Sequence, residues 1–312
     1  MAAASVEGLW RAALRMGRVT ILVLSLLTLL LARLGVPLYV LIAAVVVSLV
    51  TLYAGRSGSG GFWLWASYLI AFVLFAQLRT LVDQTGVPIR GRYVFQADRW
   101  LFGGTFPTEW LQQHLYHPGS AGVLAIACTA VYTSYFVVPH LFALVLWRRD
   151  REAFLQYGLA VLFTVYAGLL VCLAVPTAPP WLAGRVAGAP HVARVVTAVL
   201  GHNPEGSGSG AVAGNPFAAM PSLHMAVTTL IVIALWRRPV LRELGILYAG
   251  AMAFALVFLG EHYVTDELAG VATAGLAWVC ASRLLRFRAG AKQAAPVRVS
   301  PRPTTELARE PQ

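Results

Sequence analysis

Long apolar runs separated by short polar turns dominate the sequence. Runs such as 21–31 and 40–50 do not alternate between apolar and polar residues, so they predict helices and not the strands of a transmembrane barrel, which alternate over roughly ten residues. Since about 20 apolar helical residues cross a bilayer core, the pattern predicts an all-α integral membrane protein. We count about eight candidate transmembrane spans, at 19–34, 36–54, 62–82, 121–147, 154–175, 221–239, 244–260 and 263–284.

The spans divide the chain into three predicted regions. These are a cytoplasmic segment and helical hairpin (1–60), a membrane-embedded domain (61–288) with outer loops at 83–120 and 176–220, and a disordered cytoplasmic tail (289–312). Only Gly35, Val36 and Pro37 separate the first two spans, so whether residues 19–54 form two spans stays open. Basic residues precede the first apolar run without a convincing cleavage site after it, which favours a retained anchor.

Composition and charge support the membrane assignment. The chain is 58% hydrophobic and 12% charged, with a mean hydropathy of +0.70, which excludes an ordinary soluble domain. The net charge of +11 comes from 24 basic and 13 acidic residues, but the arginines cluster where apolar runs end and no aromatic-basic platform for nucleic acid accompanies them. The clusters are Arg148, Arg149 and Arg151; Arg237, Arg238 and Arg242; and Arg283, Arg286 and Arg288. The positive-inside rule then places both termini in the cytoplasm and the two long loops outside.

Two segments at span boundaries combine histidine, carboxylate and small polar side chains. Residues 215–224 read Asn-Pro-Phe-Ala-Ala-Met-Pro-Ser-Leu-His, and residues 260–266 read Gly-Glu-His-Tyr-Val-Thr-Asp. The sixth span runs away from the first segment and the seventh returns to the second, so His224 and His262 are expected at similar depth. Asp266 follows His262 by four residues, which places both on one face of a helix.

A histidine pair of this kind suits cleavage of a phosphate ester. One ring can attack phosphorus while the other protonates the leaving oxygen and later activates an acceptor. Asp266 can fix the tautomer of His262, and Ser222 lies where a helix N-terminus would favour a phosphoryl group. The simpler alternative is a polar network that holds the helices together.

These motifs resemble a known family. Pro221-Ser222-Leu223-His224 and His262-Tyr-Val-Thr-Asp266 look like the second and third signature motifs of the type 2 phosphatidic acid phosphatase superfamily. They are more similar to its inositol phosphorylceramide synthase branch, in which Pro-Ser-Leu-His replaces Pro-Ser-Gly-His, and Pro-Pro-Trp at 179–181 resembles that branch as well. The resemblance extends over about 121–284, and it implies that the predicted spans include a six-helix core. It also implies that His262 is the nucleophile, Asp266 its partner and His224 the general acid and base.

The sequence departs from the family at the first motif, which normally supplies a lysine and an Arg-Pro to the phosphate. The one lysine, Lys292, lies in the predicted tail. Arg79 and Arg185 are therefore the candidates for phosphate binding, since a guanidinium can hold two phosphate oxygens. Arg79 has two alternatives, which are reaching the membrane interface and pairing with Asp83.

The remaining histidines show no metal-ligand spacing, and no cofactor is predicted. His140 is expected to be a hydrogen-bonded interior residue, and the loop histidines His114, His117, His191 and His202 are not expected to bind a metal. The predicted partners are a lipid-linked phosphate substrate and membrane lipids, with the oligomeric state open. The leading function is transfer of a phospho-headgroup, and a phosphatase would use the same residues with water as the acceptor.

Two other classes of function compete with an enzyme. A transporter or flippase would show an internal repeat and paired broken helices near the bilayer midplane, and the sequence contains no repeat. A non-catalytic scaffold is suggested by the missing first motif. An arginine within reach of the histidine pair would argue against the scaffold.

Overall fold

The computed structural model describes residues 59–79, 86–118, 122–186, 188–200 and 217–294. Within them the chain is helical, and extended segments pair only in isolated bridges, Arg90 with Thr177 and Thr177 with Ala218. The predicted all-α class is confirmed. In chain order the helices are α1 (Ser59–Arg79), α2 (Arg92–Leu101), α3 (Pro107–Leu115), α4 (Val123–Ser134), α5 (Val138–Arg149), α6 (Arg151–Ala174), α7 (Pro180–Val186), α8 (Val195–Leu200), α9 (Leu223–Leu235), α10 (Pro239–Phe258) and α11 (Val264–Ala294).

Three described helices are long and apolar enough to cross a membrane. They are α6, α10 and the Val264–Ala289 part of α11, and the bent pair α4 and α5 counts as a fourth if it forms one span. The apolar stretches of α1 (Leu64–Ala76) and α9 (Leu223–Leu235) are shorter. The described residues thus contain three or four candidate spans. The predicted spans 19–34 and 36–54 lie outside the described residues, so the count of eight stays a prediction.

The predicted span 121–147 is broken in the middle. The axes of α4 and α5 differ by 41°, and residues 135–137 form a turn whose N–H groups bond three residues back. Pro139 accounts for the break, because it has no N–H to donate to the carbonyl of Tyr135. The turn brings aromatic side chains out of the regular helix, and they line the site described below.

Helix α11 is longer than the predicted span 263–284. It continues to Ala294, so the tail predicted from residue 289 is helical over its first six residues, 289–294. Alanine, lysine and glutamine all favour helix, and residues 289–294 read Ala-Gly-Ala-Lys-Gln-Ala. The outer loops also contain helices: α2 and α3 lie in 83–120, and α7 and α8 lie in 176–220.

Helix α6 lies at the centre of the main core and contacts α1, α5, α9 and α11. On one side Trp65 of α1 packs against Phe154 and Trp147, with ring centroids 5.7 and 5.9 Å away. Buried His140 lies 3.1 Å from the hydroxyl of Tyr68 through Nδ1, which confirms that it is a hydrogen-bonded interior residue. On the other side, α6 approaches α9 so closely that a Cβ at Gly168 would lie 2.6 Å from Cδ2 of Leu223.

A second, smaller core joins the two outer loops above the start of α11. Fully buried Tyr263 is at its centre, with Phe106 at a ring-centroid distance of 6.0 Å. Its other members are Val94, Phe95, Ala183, Ala189 and Val192. Beside it, the segment around Thr177 lies between the backbones of Arg90 and Ala218. The loops are thereby fixed directly over the segment that carries His262.

Candidate active site

The two histidine motifs meet at the adjoining ends of α9 and α11. His224 lies in the first turn of α9, and His262 lies in the turn just before α11. Their ring centroids are 5.5 Å apart at an interplanar angle of 61°, and each residue is 6% exposed. A main-chain hydrogen bond from the N–H of Ser222 to the carbonyl of Asp266, at 3.0 Å, joins the motifs directly.

Asp266 is the acidic partner of His262. Its Oδ2 lies 3.4 Å from Nδ1 of His262 and accepts the N–H of Tyr263 at 3.2 Å. The carboxyl is fully buried, so its interaction with the imidazole is little screened by water. Such a contact favours the tautomer with a proton on Nδ1, which gives Nε2 a free lone pair.

His224 is enclosed by aromatic rings from the break between α4 and α5. Tyr132 stacks on it at 4.8 Å and 24°, Tyr135 lies at 4.2 Å, and Phe136 meets it edge-on at 6.1 Å. Nε2 of His224 is buried and has no hydrogen-bond partner among the described residues. The ring is thus held in place with one nitrogen available for a proton transfer. In the sequence, this enclosure is indicated by three aromatic residues just before Pro139.

Ser222 has a structural task besides any contact with phosphate. It is fully buried, and its Oγ accepts the N–H of Met225 at 3.3 Å as the N-cap of α9. A capping hydroxyl still has its own proton to donate. The predicted role of Ser222 in phosphate binding is therefore compatible with its position.

The two candidate arginines differ in position. The positive charge of Arg79, at the end of α1, acts on both His224 and Cys172, and its Nε is buried without a partner among the described residues. Arg185 is exposed on α7 and has no hydrogen bond or ion pair within the described part of the chain. The structure therefore places Arg79 within electrostatic range of His224 and leaves Arg185 exposed. Asp83, the alternative partner of Arg79, lies outside the described residues.

A third arginine, which the sequence reasoning missed, pairs with Glu261, the residue that precedes His262. Arg194 donates through Nε to Glu261 at 2.7 Å and lies over the ring of Trp181 at 4.6 Å. Burial lowers the pKa of Arg194 and the Glu261 carboxylate raises it, with a net rise. Glu261 directly precedes His262, so this ion pair holds one end of the motif. No fixed spacing in the sequence connects Arg194 to the motif, and only the fold brings them together.

The start of α11 is held by a second carboxylate that the sequence reasoning missed. Fully buried Asp98 of α2 accepts the N–H groups of Val264 at 3.0 Å and Thr265 at 2.8 Å, as well as the hydroxyl of Thr265. Burial raises the pKa of Asp98, and the hydrogen bonds from Thr265 and Val264 oppose the rise. The only sequence signal was its place four residues after Val94 on the buried face of an amphipathic helix.

The Pro-Pro-Trp segment lies against the turn that precedes His262. The N–H of Trp181 donates to the carbonyl of Gly260 at 3.2 Å. Gly260 has a φ of +76°, and a Cβ there would lie 2.8 Å from the carbonyl oxygen of Ala193. Glycine is therefore required at this turn for both conformation and space.

Comparison with known proteins agrees with this geometry. The family model described as the PAP2 superfamily matches residues 92–280, which is more than half of the chain. The chain belongs to the PAP2 superfamily, and it is an enzyme of the lipid phosphotransferase and phosphatase class.

The chain is also similar to a curated synthase. It is 28% identical over 213 residues to the phosphoinositol dihydroceramide synthase of Bacteroides thetaiotaomicron, a match that covers 62% of this chain and 67% of the relative. No solved structure matches the chain significantly.

Proposed function

We propose that the protein transfers a phospho-headgroup from a lipid-linked donor to an alcohol through a phosphohistidine intermediate on His262. The observation that supports this most directly is the buried pair of histidine rings, 5.5 Å apart, with Asp266 against only one of them. This asymmetry gives the rings different tasks. The ring beside the carboxylate is suited to become a positively charged phosphohistidine, and the other is suited to exchange a proton.

In the first step, Nε2 of His262 attacks phosphorus and forms a P–N bond. The bond between phosphorus and the lipid oxygen breaks, and protonated His224 gives its proton to that oxygen. Asp266 stabilises the positive charge that forms on the His262 ring. The lipid alcohol then leaves, and His224 is unprotonated.

In the second step, the oxygen of an acceptor attacks the phosphorus of the phosphohistidine. His224 takes the acceptor proton, the P–N bond breaks, and His262 returns to its neutral form. An alcohol as acceptor makes the enzyme a transferase, and water makes it a phosphatase. The Pro-Ser-Leu-His form of the motif and the similarity to the Bacteroides synthase both favour transfer.

The phosphoryl oxygens need positive charge close to the histidines. Arg79 is the arginine best supported for this, because its charge already acts on His224. The hydroxyl of Ser222 and the N–H groups at the start of α9 would add hydrogen-bond donors. The exposure of Arg185 gives it less support, and the ion pair with Glu261 leaves Arg194 partly neutralised.

The test compares purified wild type with His262→Ala on a panel of lipid phosphates and phospholipids, with and without inositol. His191→Ala, which changes an exposed loop histidine, is the matched control. We expect turnover and a labelled, acid-labile phosphoenzyme in wild type and His191→Ala, and neither in His262→Ala. The reaction should persist with a chelator, because histidine and arginine supply the charges.

The outcomes separate the parts of the proposal. Full activity of His262→Ala would overturn the phosphohistidine mechanism. Release of phosphate without any transfer to an alcohol would favour the phosphatase. Loss of activity with the chelator would contradict the metal-independent reaction. If wild type turned over nothing on the panel, the proposed substrate class would be wrong.

We also propose the arrangement in the membrane. The arginine clusters support eight spans with both termini in the cytoplasm, which would place the histidine pair on the extracytoplasmic side of the cell membrane. A phosphate donor and acceptor would then meet at that face.

A further inference from the structure

A pocket of about 540 Å³ lies beside the first turn of α11, away from the histidine rings. Its walls come from the turn between α2 and α3, from α3 itself, from the last turns of α10 and from the start of α11. Most of the lining is apolar, and Phe102, Trp110 and Phe254 are partly exposed at its edge. Its size and apolar walls suit an organic molecule, and pockets of this kind typically add a few polar groups that orient the ligand.

Glu267 supplies such a group. It lines the pocket, is 6% exposed, and its Oε1 is buried without a hydrogen-bond partner among the described residues. A buried carboxyl that lacks a partner is costly, and the cost falls when a donor is supplied. The pocket is therefore complementary to an apolar molecule that brings a hydrogen-bond donor.

The pocket and the histidine site use different faces of the same helical turn. Residues three apart share a helix face, and both Val264 and Glu267 line the pocket. Asp266 is one residue away, which is about 100° around the helix, and it contacts His262. A molecule in the pocket would thus lie against the other side of the turn that carries Asp266.

We propose that this pocket binds a neutral lipid whose hydroxyl group donates a hydrogen bond to Glu267 while its chains lie along Phe102, Trp110 and Phe254. An anionic lipid is disfavoured because the carboxylates of Asp266 and Asp98, whose charges act on Glu267, would repel it. An ammonium lipid would have to lose the hydration of a full charge in a mostly apolar pocket, which costs far more than burying a hydroxyl, even with Glu267 as its partner. If the proposed transfer is correct, a lipid alcohol is also the product of its first step.

Trp110 provides a direct readout. Purified full-length protein in detergent micelles is titrated with a diacylglycerol that carries bromine atoms in its chains, and quenching of tryptophan fluorescence is followed. The comparison ligand is the same lipid with its hydroxyl acetylated. We expect saturable quenching that is mostly lost in Trp110→Phe, and about tenfold weaker binding of the acetylated lipid, the effect of one hydrogen bond of about 1.4 kcal/mol.

Two variants test the pocket itself. Glu267→Leu should bind both lipids equally weakly, because it removes the acceptor of the hydroxyl. Ala253→Phe should reduce binding at least tenfold by filling the pocket from α10. The control Gly250→Ala should not, because Gly250 does not line the pocket and a Cβ there meets nothing within 4 Å. The two substitutions on α10 still test the proposal if Glu267→Leu does not fold.

The proposal is overturned if Trp110→Phe is quenched as strongly as wild type, if the acetylated lipid binds equally well, or if Ala253→Phe binds normally. Tighter binding of a brominated long-chain amine or of a brominated phosphatidic acid would also overturn it. His262→Ala should retain the quenching. Loss of turnover with intact binding, or the reverse, therefore separates this site from the phosphohistidine mechanism.

Discussion

His224 is held by aromatic rings from the region where α4 ends and α5 begins. The stacked Tyr132 and the tilted Tyr135 fix the plane of the imidazole, while Nε2 stays without a partner in the described part of the chain. A general acid needs this combination of a fixed ring and an unoccupied nitrogen, because a permanent hydrogen bond would compete with the proton transfer.

The role of His224 can be separated from that of His262 by the leaving group. We expect His224→Ala to lose about 10²- to 10⁴-fold in rate on an alkyl phosphodiester, which needs a proton on its leaving oxygen. Release of an aryl alcohol from an aryl phosphodiester should fall far less, because that oxygen leaves without a proton. The measurement is the initial rate of phosphoenzyme formation on both substrates. An equal loss on both would contradict the assignment of His224 as the acid.

Asp98 is a structural residue. Its substitution should destabilise the segment that carries the active site. Asp98→Ala leaves the buried N–H groups of Val264 and Thr265 without their acceptor, which costs about 1–3 kcal/mol. Asp98→Asn keeps one acceptor oxygen and should cost less. Thermal unfolding in detergent measures the series, with Glu109→Gln, which alters an exposed contact to Gln113, as the control. A stability of Asp98→Ala equal to that of the control would show that the cap contributes nothing.

At the scale of elements, the approach of α11 to the start of α9 decides where the two motifs meet. A Cβ at Gly270 would lie 2.4 Å from the carbonyl oxygen of Ser222 and 3.3 Å from the N of Ala226. Both atoms belong to the backbone, so a side-chain rotation cannot relieve the contact. The glycine thus allows the contact in which Ser222 donates to the carbonyl of Asp266.

Gly270→Ala should therefore separate the helices at the active site. We expect a loss of stability of about 1–3 kcal/mol, as for other overpacked contacts, together with a marked fall in turnover. Gly275→Ala is the control on the same helix, since a Cβ there meets nothing within 4 Å. Turnover and unfolding temperature are measured for both. Indistinguishable behaviour of the two variants would mean that the close approach is unimportant.

The sequence predicted the parts of the site that local spacing determines. Ser222 and His224 lie at a helix start, as predicted. His262 and Asp266 are in contact, as their four-residue spacing suggested, although His262 lies in the turn before α11 and not on the helix. Asp98 and Arg194 were missed because their partners are 166 and 67 residues away in the chain. The break at 135–137 was missed as well, since the hydrophobicity of 121–147 is continuous and Pro139 was its only sign.

At the scale of the whole molecule, the two outer loops and the histidine pair should lie on one side of the membrane. In a chain whose three native cysteines are replaced by serine, Gln113→Cys should react with a membrane-impermeant maleimide in intact cells. Arg149→Cys, in an arginine cluster, should react only after permeabilisation. Both side chains are exposed in the structure, so access depends on the membrane alone. The reverse labelling pattern would place the active site on the cytoplasmic side.

The close contact between Gly168 on α6 and Leu223 on α9 has an evolutionary consequence. Leu223 is the residue that distinguishes Pro-Ser-Leu-His from Pro-Ser-Gly-His, and its side chain occupies the space that a Cβ at residue 168 would need. A larger residue at 168 therefore requires the Leu223 side chain to shift, and exchange of the leucine for glycine in the motif would free room on the facing helix. In this chain the leucine of the motif is thus accommodated by a glycine on a second helix, which a search that reads the motif alone does not include.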